Sequence, residues 1–458
     1  MEHVSFEVLN KHMEEKLSDS SLYRGARFSY LKILQHALSY DLTKSTQKKI
    51  ATNFQSPFWW VKLKYILKAW RNGQIPTLAL KKSVIIDKGR IYEEEGMKKS
   101  HYFNNLLSAL GPEHVSLLQQ RKNHGLAALS SLEEIGVARG VMPKQVQQTW
   151  LEIRTIIRSL QRSKKFTSSE CEYIESCFHV FFEDYFRFYR IFQNQTQVKS
   201  VFFCVHYHQE GLIAALRDLE IKSVEIQHGL ISASDYYYVY SKQLSAGLKD
   251  ALFPDIIGLY GQYWKNILLR GAEWKPEQLR VFGDYLPRTE KKYLPPFQKE
   301  NWIFIGAQKN VDKEYVDYIL QLRKHVAEKH PDWKIVAKLH PIEKKPQAYH
   351  AIADQYIQIV GNESSLDELL SRSKIQISIY STTFYDALGF DVVNYSIQNY
   401  SPYSSYAAEA VREGVAEPIS FEEDPIEKYN QRPEGTAYAI QREEVYAPFK
   451  ASALQELL

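Results

Sequence analysis

Two successive runs of short apolar segments alternating with amphipathic ones, parted by a double proline, constrain this chain more than any other feature. In the first run, Ser83-Val-Ile-Ile-Asp87, His114-Val-Ser-Leu-Leu118, Val201-Phe-Phe-Cys-Val205, Ser223-Val-Glu-Ile-Gln227, Ile256-Ile-Gly-Leu-Tyr260 and Leu279-Arg-Val-Phe282 read as strands. Helical patterns over Tyr102 to Leu110, Gly211 to Leu219 and Gln262 to Arg270 fall between them. The second run is as legible, with strands at Trp302 to Ile305, Lys334 to Leu339, Tyr356 to Val360, Ile375 to Ile379 and Val392-Val393. Helices are expected there over Asp312 to Lys329, Leu366 to Ser371 and Thr383 to Leu388. Strands joined by helical crossovers imply parallel, doubly wound sheets. Between the runs, Tyr293-Leu-Pro-Pro-Phe297 with Lys291, Lys292, Lys299 and Glu300 nearby has the composition of an interdomain linker. The expected fold class is therefore α/β, with two Rossmann-like domains facing a cleft. The expected boundaries are a helical extension over 1–80, a first domain over 81–292 with a helical insertion at 125–196, a second over 298–440, and a C-terminal helix over 441–458. Ligands of such sheets bind beyond the carboxyl ends of the strands.

Composition narrows the class of function. A chain of 458 residues with 58 Lys+Arg against 54 Asp+Glu carries +4, too little for a protein built to coat nucleic acid, and no nucleic-acid partner is expected. Three scattered cysteines, Cys171, Cys177 and Cys204, support neither a disulfide framework nor a zinc site. The charged N-terminus lacks a signal-peptide core, and no run approaches the roughly 20 apolar residues of a membrane span, so a cytoplasmic protein is expected. The near-neutral total hides one asymmetry. Between Leu42 and Ile86 there are nine basic residues and no acidic one, leaving the remainder at −5. Within that stretch Trp59, Leu63, Ile66, Leu67 and Trp70 share a helical face opposite Lys64, Lys68 and Arg71. Such a helix docks on its own protein or lies on an anionic membrane surface, the inner face of the cytoplasmic membrane being the expected one.

Three strand ends carry polar chemistry. In Lys338-Leu339-His340-Pro341 a strand delivers a histidine to its carboxyl end and a proline forbids further pairing. In Ser378-Ile-Tyr-Ser-Thr-Thr-Phe-Tyr-Asp386 a strand runs into hydroxyl residues that open a helix, where amide groups, the helix dipole and hydroxyls converge on an anion or simply cap the helix. In Glu225-Ile226-Gln227-His228-Gly229 another strand ends on a histidine, with His206-Tyr-His208-Gln-Glu210 closing the strand before it. A histidine titrating near about 6.5 takes a proton from a hydroxyl, and Glu210 is the carboxylate on the same rim. No tight metal site is suggested, because His206 and His208 have no acidic or cysteine cluster beside them. P-loop, Gly-x-Gly-x-x-Gly and Gly-x-Ser-x-Gly motifs are all missing from the sequence.

With His340-Pro341, Ser381-Thr382 and Gln227-His228-Gly229 in place, the chain resembles GT-B-fold bacterial glycosyltransferases of surface-polysaccharide synthesis. The nearest in pattern are polysialyltransferases, capsular Kdo transferases and CDP-glycerol glycerophosphotransferases. The likeness covers roughly residues 200–400. It implies a metal-independent enzyme that takes sugar from a CMP- or CDP-linked donor and passes it to a glycan or lipid-linked acceptor. By resemblance the donor phosphate falls to His340, Pro341, Ser381, Thr382 and Thr383, with Lys338 and Gln308 on the same side. His228 is the implied base and Glu210 its substitute, with Gln227, Gly229 and His208 on the acceptor side. Gln227 stands where the glycerophosphotransferases have Trp, which leaves the reaction type open. A polyol-phosphate transferase, a nucleotide-sugar epimerase and a non-catalytic sugar-nucleotide binding subunit are the alternatives.

Overall fold

The computed structural model describes residues 6–17, 28–44, 79–121, 125–126, 144–239, 251–285, 298–308, 312–340, 346–398, 400, 407–433, 438 and 440–457, apart from 88–90, 95–96, 101, 208, 234, 236, 272 and 362. The chain divides into two compact units, residues 3–287 with 447–458, and residues 288–446. Each is built on one mainly parallel sheet with helical crossovers, so the chain is α/β.

In the first unit β1 (Ser83–Asp87), the hairpin β2 (Ile91–Glu94) and β3 (Met97–Ser100), β4 (Val115–Arg121), β5 (Gly125–Leu126), β6 (Ser200–Cys204), β7 (Lys222–Ile226), β8 (Ile256–Leu259) and β9 (Leu279–Val281) follow in chain order. The main sheet runs β5-β4-β1-β6-β7-β8-β9, parallel throughout except for β5, and β2 pairs with β3 apart from it. That hairpin falls in a stretch for which no strand is expected from sequence. Strands β1 and β6 are buried at nearly every position because helices cover both faces of such a sheet. Their one polar pair, Ser83 and Ser200, satisfies itself through a 2.8 Å hydroxyl contact.

The expected helical insertion contains two long helices, Lys144–Arg162 and Ser168–Phe192. The second carries an aromatic seam in which Phe178 and Phe181 meet Tyr30 edge-on at 5.7 Å. Tyr30 precedes the helix Leu31–Lys44, so this part of the N-terminal extension docks on the first unit, with Leu31, Leu34 and Leu38 buried. The basic helix expected over residues 58–71 lies outside the described residues. No described helix is long and apolar enough to cross a membrane. The helix Glu210–Asp218 crosses the seam at Gly211, where a Cβ would stand 2.4 Å from the Phe181 carbonyl oxygen, so a larger residue would push the helices apart.

The long helix begins with a reciprocal cap. Glu170 N–H donates to Thr167 Oγ1 at 3.2 Å, Thr167 N–H donates to Glu170 Oε2 at 2.6 Å, and Lys16 pairs with the same oxygen at 3.0 Å. Burial pushes the Glu170 carboxyl up, but the Thr167 amide and Lys16 outweigh it and hold the pKa below its ordinary value. A depressed carboxylate stabilises the fold above its unfolded pKa and ceases to do so as pH falls through the folded value. Glu170→Gln is therefore expected to cost about 1 kcal/mol at pH 7 and distinctly less at pH 3, by urea unfolding at both pH values.

The second unit contains β10 (Trp302–Gly306), β11 (Lys334–Lys338), β12 (Ile357–Val360), β13 (Ile375–Ser378), β14 (Val393–Ile397) and β15 (Glu417–Ile419) in the order β12-β11-β10-β13-β14-β15, all parallel. Period-two alternation divides its core. Ile303, Ile305, Ile335, Ile375 and Ile377 pack on one face, and Phe304 and Val336 on the other. The edge strand β15 was not expected from sequence, because three residues that include Pro418 give no strand signal. The last 18 residues form two short helices, Arg442–Val445 and Ala451–Gln455, in place of the single one expected. Between them the chain rejoins the first unit, with Ala447 N–H on Tyr260 O and Lys450 N–H on Phe282 O, both 2.9 Å. Gly283, at φ 91°, permits this: a Cβ there would lie 2.3 Å from the Pro448 carbonyl oxygen.

Candidate functional site

In the second sheet the chain leaves β10 toward β11 and β12 on one side and returns to β13, β14 and β15 on the other. The carboxyl ends of β10 and β13 therefore flank the topological switch point, where open α/β sheets leave a crevice. Gln308, just past β10, donates from Nε2 to Ser381 Oγ at 2.9 Å, directly across that switch. The same oxygen accepts from Thr383 N–H at 3.2 Å, and Thr383 Oγ1 accepts from Gln376 Nε2 at 3.1 Å. Ser381 and Thr383 are buried, while Thr382, the N-cap, makes no side-chain cap bond. The helix they open, Thr383–Ala387, has only five residues, so hydroxyls and amide groups rather than a long dipole set the polarity here.

His340 is half-buried and lies two residues past the end of β11, the strand next to β10. Lys338 is spent on structure: its ammonium donates to the carbonyls of Gly361 at 2.5 Å and Ser364 at 2.7 Å, and burial lowers its pKa. Pro341 lies outside the described residues. A cavity of about 700 Å³ opens beyond β14 and β15, walled by Tyr400 stacked on Phe421 at 4.2 Å, and neither Ser381 nor His340 lines it.

In the first sheet, β7 delivers Gln227, His228 and Gly229 to its end. Gln227 is fully buried with its amide spent on the loop: Nε2 donates to Gly229 O and Oε1 accepts from Tyr260 N–H, both at 2.9 Å, so it holds the turn instead of facing an acceptor. Tyr285 donates its hydroxyl to the Gln227 carbonyl. His228 is half-buried, with Nε2 3.4 Å from the Tyr207 hydroxyl. Glu210 is buried in the first turn of its helix, on the neighbouring strand connection. His208 lies outside the described residues.

Sequence reasoning overlooked what lies beneath. His206 is fully buried, with Nδ1 against Glu225 and Nε2 3.1 Å from the Tyr237 carbonyl. Both nitrogens face acceptors, an arrangement satisfied when both carry protons, whereas burial works against the charge and pushes the imidazole pKa down. Glu225 accepts a further bond from the Tyr238 hydroxyl at 2.7 Å. Burial alone would raise its pKa, but His206 and Tyr238 hold the carboxyl below the usual range. Lys32, from the N-terminal extension, is buried over the Phe253 ring at 4.1 Å and is driven down to about 7 by burial. Asp235 is pushed up to about 7, again by burial. The signal available was Glu225 itself, a carboxylate inside an apolar parallel strand, which must find a partner.

Among the described residues, one group has ligand atoms close enough for a metal, His330, Asp424 and Glu427. The Lys329 ammonium already pairs with both carboxylates there, at 3.7 and 2.9 Å, and supplies the positive charge.

No protein-family model matches the chain, and no curated protein matches it. Solved structures do. The S. aureus MnaA–UDP co-structure is 12% identical over 82% of this chain and 94% of its own, with a TM-score of 0.46. UDP-GlcNAc 2-epimerase from Neisseria meningitidis bound to UDP-GlcNAc is 12% identical over 81% and 98%, with a TM-score of 0.45. Acinetobacter baumannii MurG is 13% identical over 77% and 89%, with a TM-score of 0.35. At these identities and TM-scores the likeness carries no argument about activity, and the α/β class rests on the order of the two sheets.

Proposed function

We propose that this protein is an enzyme that binds a nucleotide-activated sugar, with the donor phosphate held at the switch point of the second sheet. The observation that carries this reading is the Gln308–Ser381 contact across β10 and β13, backed by Thr383 and with His340 one strand away. Hydroxyls, amide N–H groups and an imidazole at one crevice form a donor set suited to phosphate oxygens, without a requirement for metal. The base is His228 of the first unit, and Glu210 is the carboxylate to test if a covalent intermediate forms.

Two reactions compete for that sugar. Glycosyl transfer, which the motif pattern around His340, Ser381 and His228 supports, needs an acceptor hydroxyl. Epimerisation, the activity named for the Neisseria protein, needs none. Incubation of the protein with UDP-GlcNAc and with CMP- and CDP-linked sugars, without any acceptor, separates them: a changed sugar still joined to its nucleotide means epimerisation, and turnover only after a glycan or lipid-linked acceptor is added means transfer. Phosphorus in the product would mark a polyol-phosphate transferase. Thermal shift against CMP, CDP, UDP and GDP tests the binding step. The matching nucleotide at 100-fold over its Kd is expected to stabilise the protein by about 2.7 kcal/mol, and Ser381→Ala to weaken it about tenfold. No shift with any of the four at millimolar concentration would reject the nucleotide reading.

A further inference from the structure

The chain turns sharply after β6. Val205 adopts φ 70°, a left-handed conformation that costs a β-branched residue about 1–2 kcal/mol and persists only where its surroundings impose it. The imposing groups are identifiable. Gln209 Nε2 donates to the carbonyls of Cys204 at 2.9 Å and Val205 at 2.6 Å, pinning the turn from outside. From inside, His206 is clamped between Glu225 and the Tyr237 carbonyl. Tyr238 is tied to Glu225, and Trp274 Nε1 donates to the Tyr238 carbonyl at 2.7 Å.

The consequence falls on Tyr207. Its ring stacks on Tyr237 at 4.2 Å and 16°, and its hydroxyl stands 3.4 Å from His228 Nε2. The turn after β6 thus meets the end of β7 at one imidazole, and Tyr237 backs the Tyr207 ring that makes the contact. An isolated histidine has free ring rotation and two tautomers; a tyrosyl hydroxyl at one nitrogen restricts the rotation and, when it donates, favours the tautomer with the proton on the other nitrogen. We propose that Tyr207 is the positioning residue of His228, donating its hydroxyl to Nε2 so that the ring proton resides on Nδ1 and Nε2 is the basic nitrogen, with the buried His206–Glu225 pair holding Tyr207 in place. At 3.4 Å the contact is loose, as such bonds often are before substrate binds, and an acceptor hydroxyl can take its place. The proposal rests on the reading of His228 as the base, and it concerns the state of that imidazole before any reaction.

The test is nitrogen-15 NMR of histidine side chains in the full chain, with His228 assigned by the signal lost in His228→Gln. Tyr207→Phe keeps the stacked ring and removes only the hydroxyl. It is expected to leave the melting temperature within about 1 °C, to move His228 from the Nδ1–H tautomer toward a mixture, and to raise its titration midpoint by roughly half a unit, since a donor to the neutral ring is lost. Glu225→Gln, which loosens the anchor, is expected to give the same change at His228. A wild-type His228 carrying its proton on Nε2, or a tautomer unmoved by Tyr207→Phe, would overturn the proposal. If the His228 signal moves as expected while the turnover of Tyr207→Phe and His228→Ala stays at the wild-type level, the positioning stands and the assignment of His228 as base fails.

Discussion

Replacing His228 with alanine is expected to lower turnover 100-fold or more while leaving nucleotide binding unchanged. The size follows from what a general base does. Removing a positioned proton acceptor typically costs a factor of 10²–10⁴, roughly 3–5 kcal/mol in the transition state. Binding should survive because the groups proposed to hold the phosphate, Gln308, Ser381 and Thr383, lie in the second unit, whereas His228 follows a strand of the first. The fold should survive as well, since the turn is held by its neighbour Gln227, whose amide bonds Gly229 and Tyr260, and by the Tyr285 hydroxyl, none of which uses the imidazole. The pH profile supplies a second reading. A base acts in its neutral form, so the wild-type rate should rise through an acid limb near the histidine range, about 6.5, and the residual rate of His228→Ala should lack that limb. Turnover within about threefold of wild type would remove His228 from the reaction and leave Glu210 as the residue to examine.

Lys299→Met is expected to destabilise the second unit by about 3 kcal/mol, the largest structural effect we foresee. Lys299 is buried just before β10, and its ammonium donates to the carbonyls of Ser373 at 3.0 Å, Asp391 at 2.8 Å, and Phe390. These carbonyls lie at the entries to β13 and β14, so one side chain fixes the starts of three strands. Methionine matches the length of the stem but leaves two buried acceptors and a partly buried one short of a donor, at about 1 kcal/mol each. The pH dependence is distinctive. Burial lowers the Lys299 pKa to about 8 from its ordinary 10.5, against the pull of Asp391. Between those values the unfolded chain binds more protons than the folded one, so wild-type stability gains from this group as pH rises from 8 to 10.5. Below pH 8 both states hold the proton and the contribution is flat. The variant should lose that gain. Denaturant unfolding at pH 7 and pH 10 reads both effects, and equal stability of wild type and variant at pH 7 would show that the carbonyl cluster does not need the ammonium.

The apolar runs themselves determined much of this protein. Strands such as Ile303 to Ile305 and Ile375 to Ile377 are buried on both faces, so their sequences are continuous and unambiguous, and the helices between them compel parallel order. Chain ends of these strands are equally fixed in sequence, which is why His228, His340 and Ser381 were legible as strand-end residues. Sequence gave no sign of β15, because an edge strand of three residues has too few positions for a pattern.

What only the tertiary structure decided is the pairing of polar groups from distant segments. Gln308 and Ser381 are 73 residues apart, and their contact depends on β10 and β13 being adjacent in space despite two intervening strands in sequence. His206 and Glu225 lie in successive strand units, yet burying both made each the other's hydrogen-bond partner, a pairing that no spacing rule gives. The same is true of Lys32, brought over Phe253 by a helix that sequence placed outside the domain. Local pattern fixes where apolar surface must go, because burial is read residue by residue; a buried charge is fixed only by its partner, and the partner is chosen by the fold.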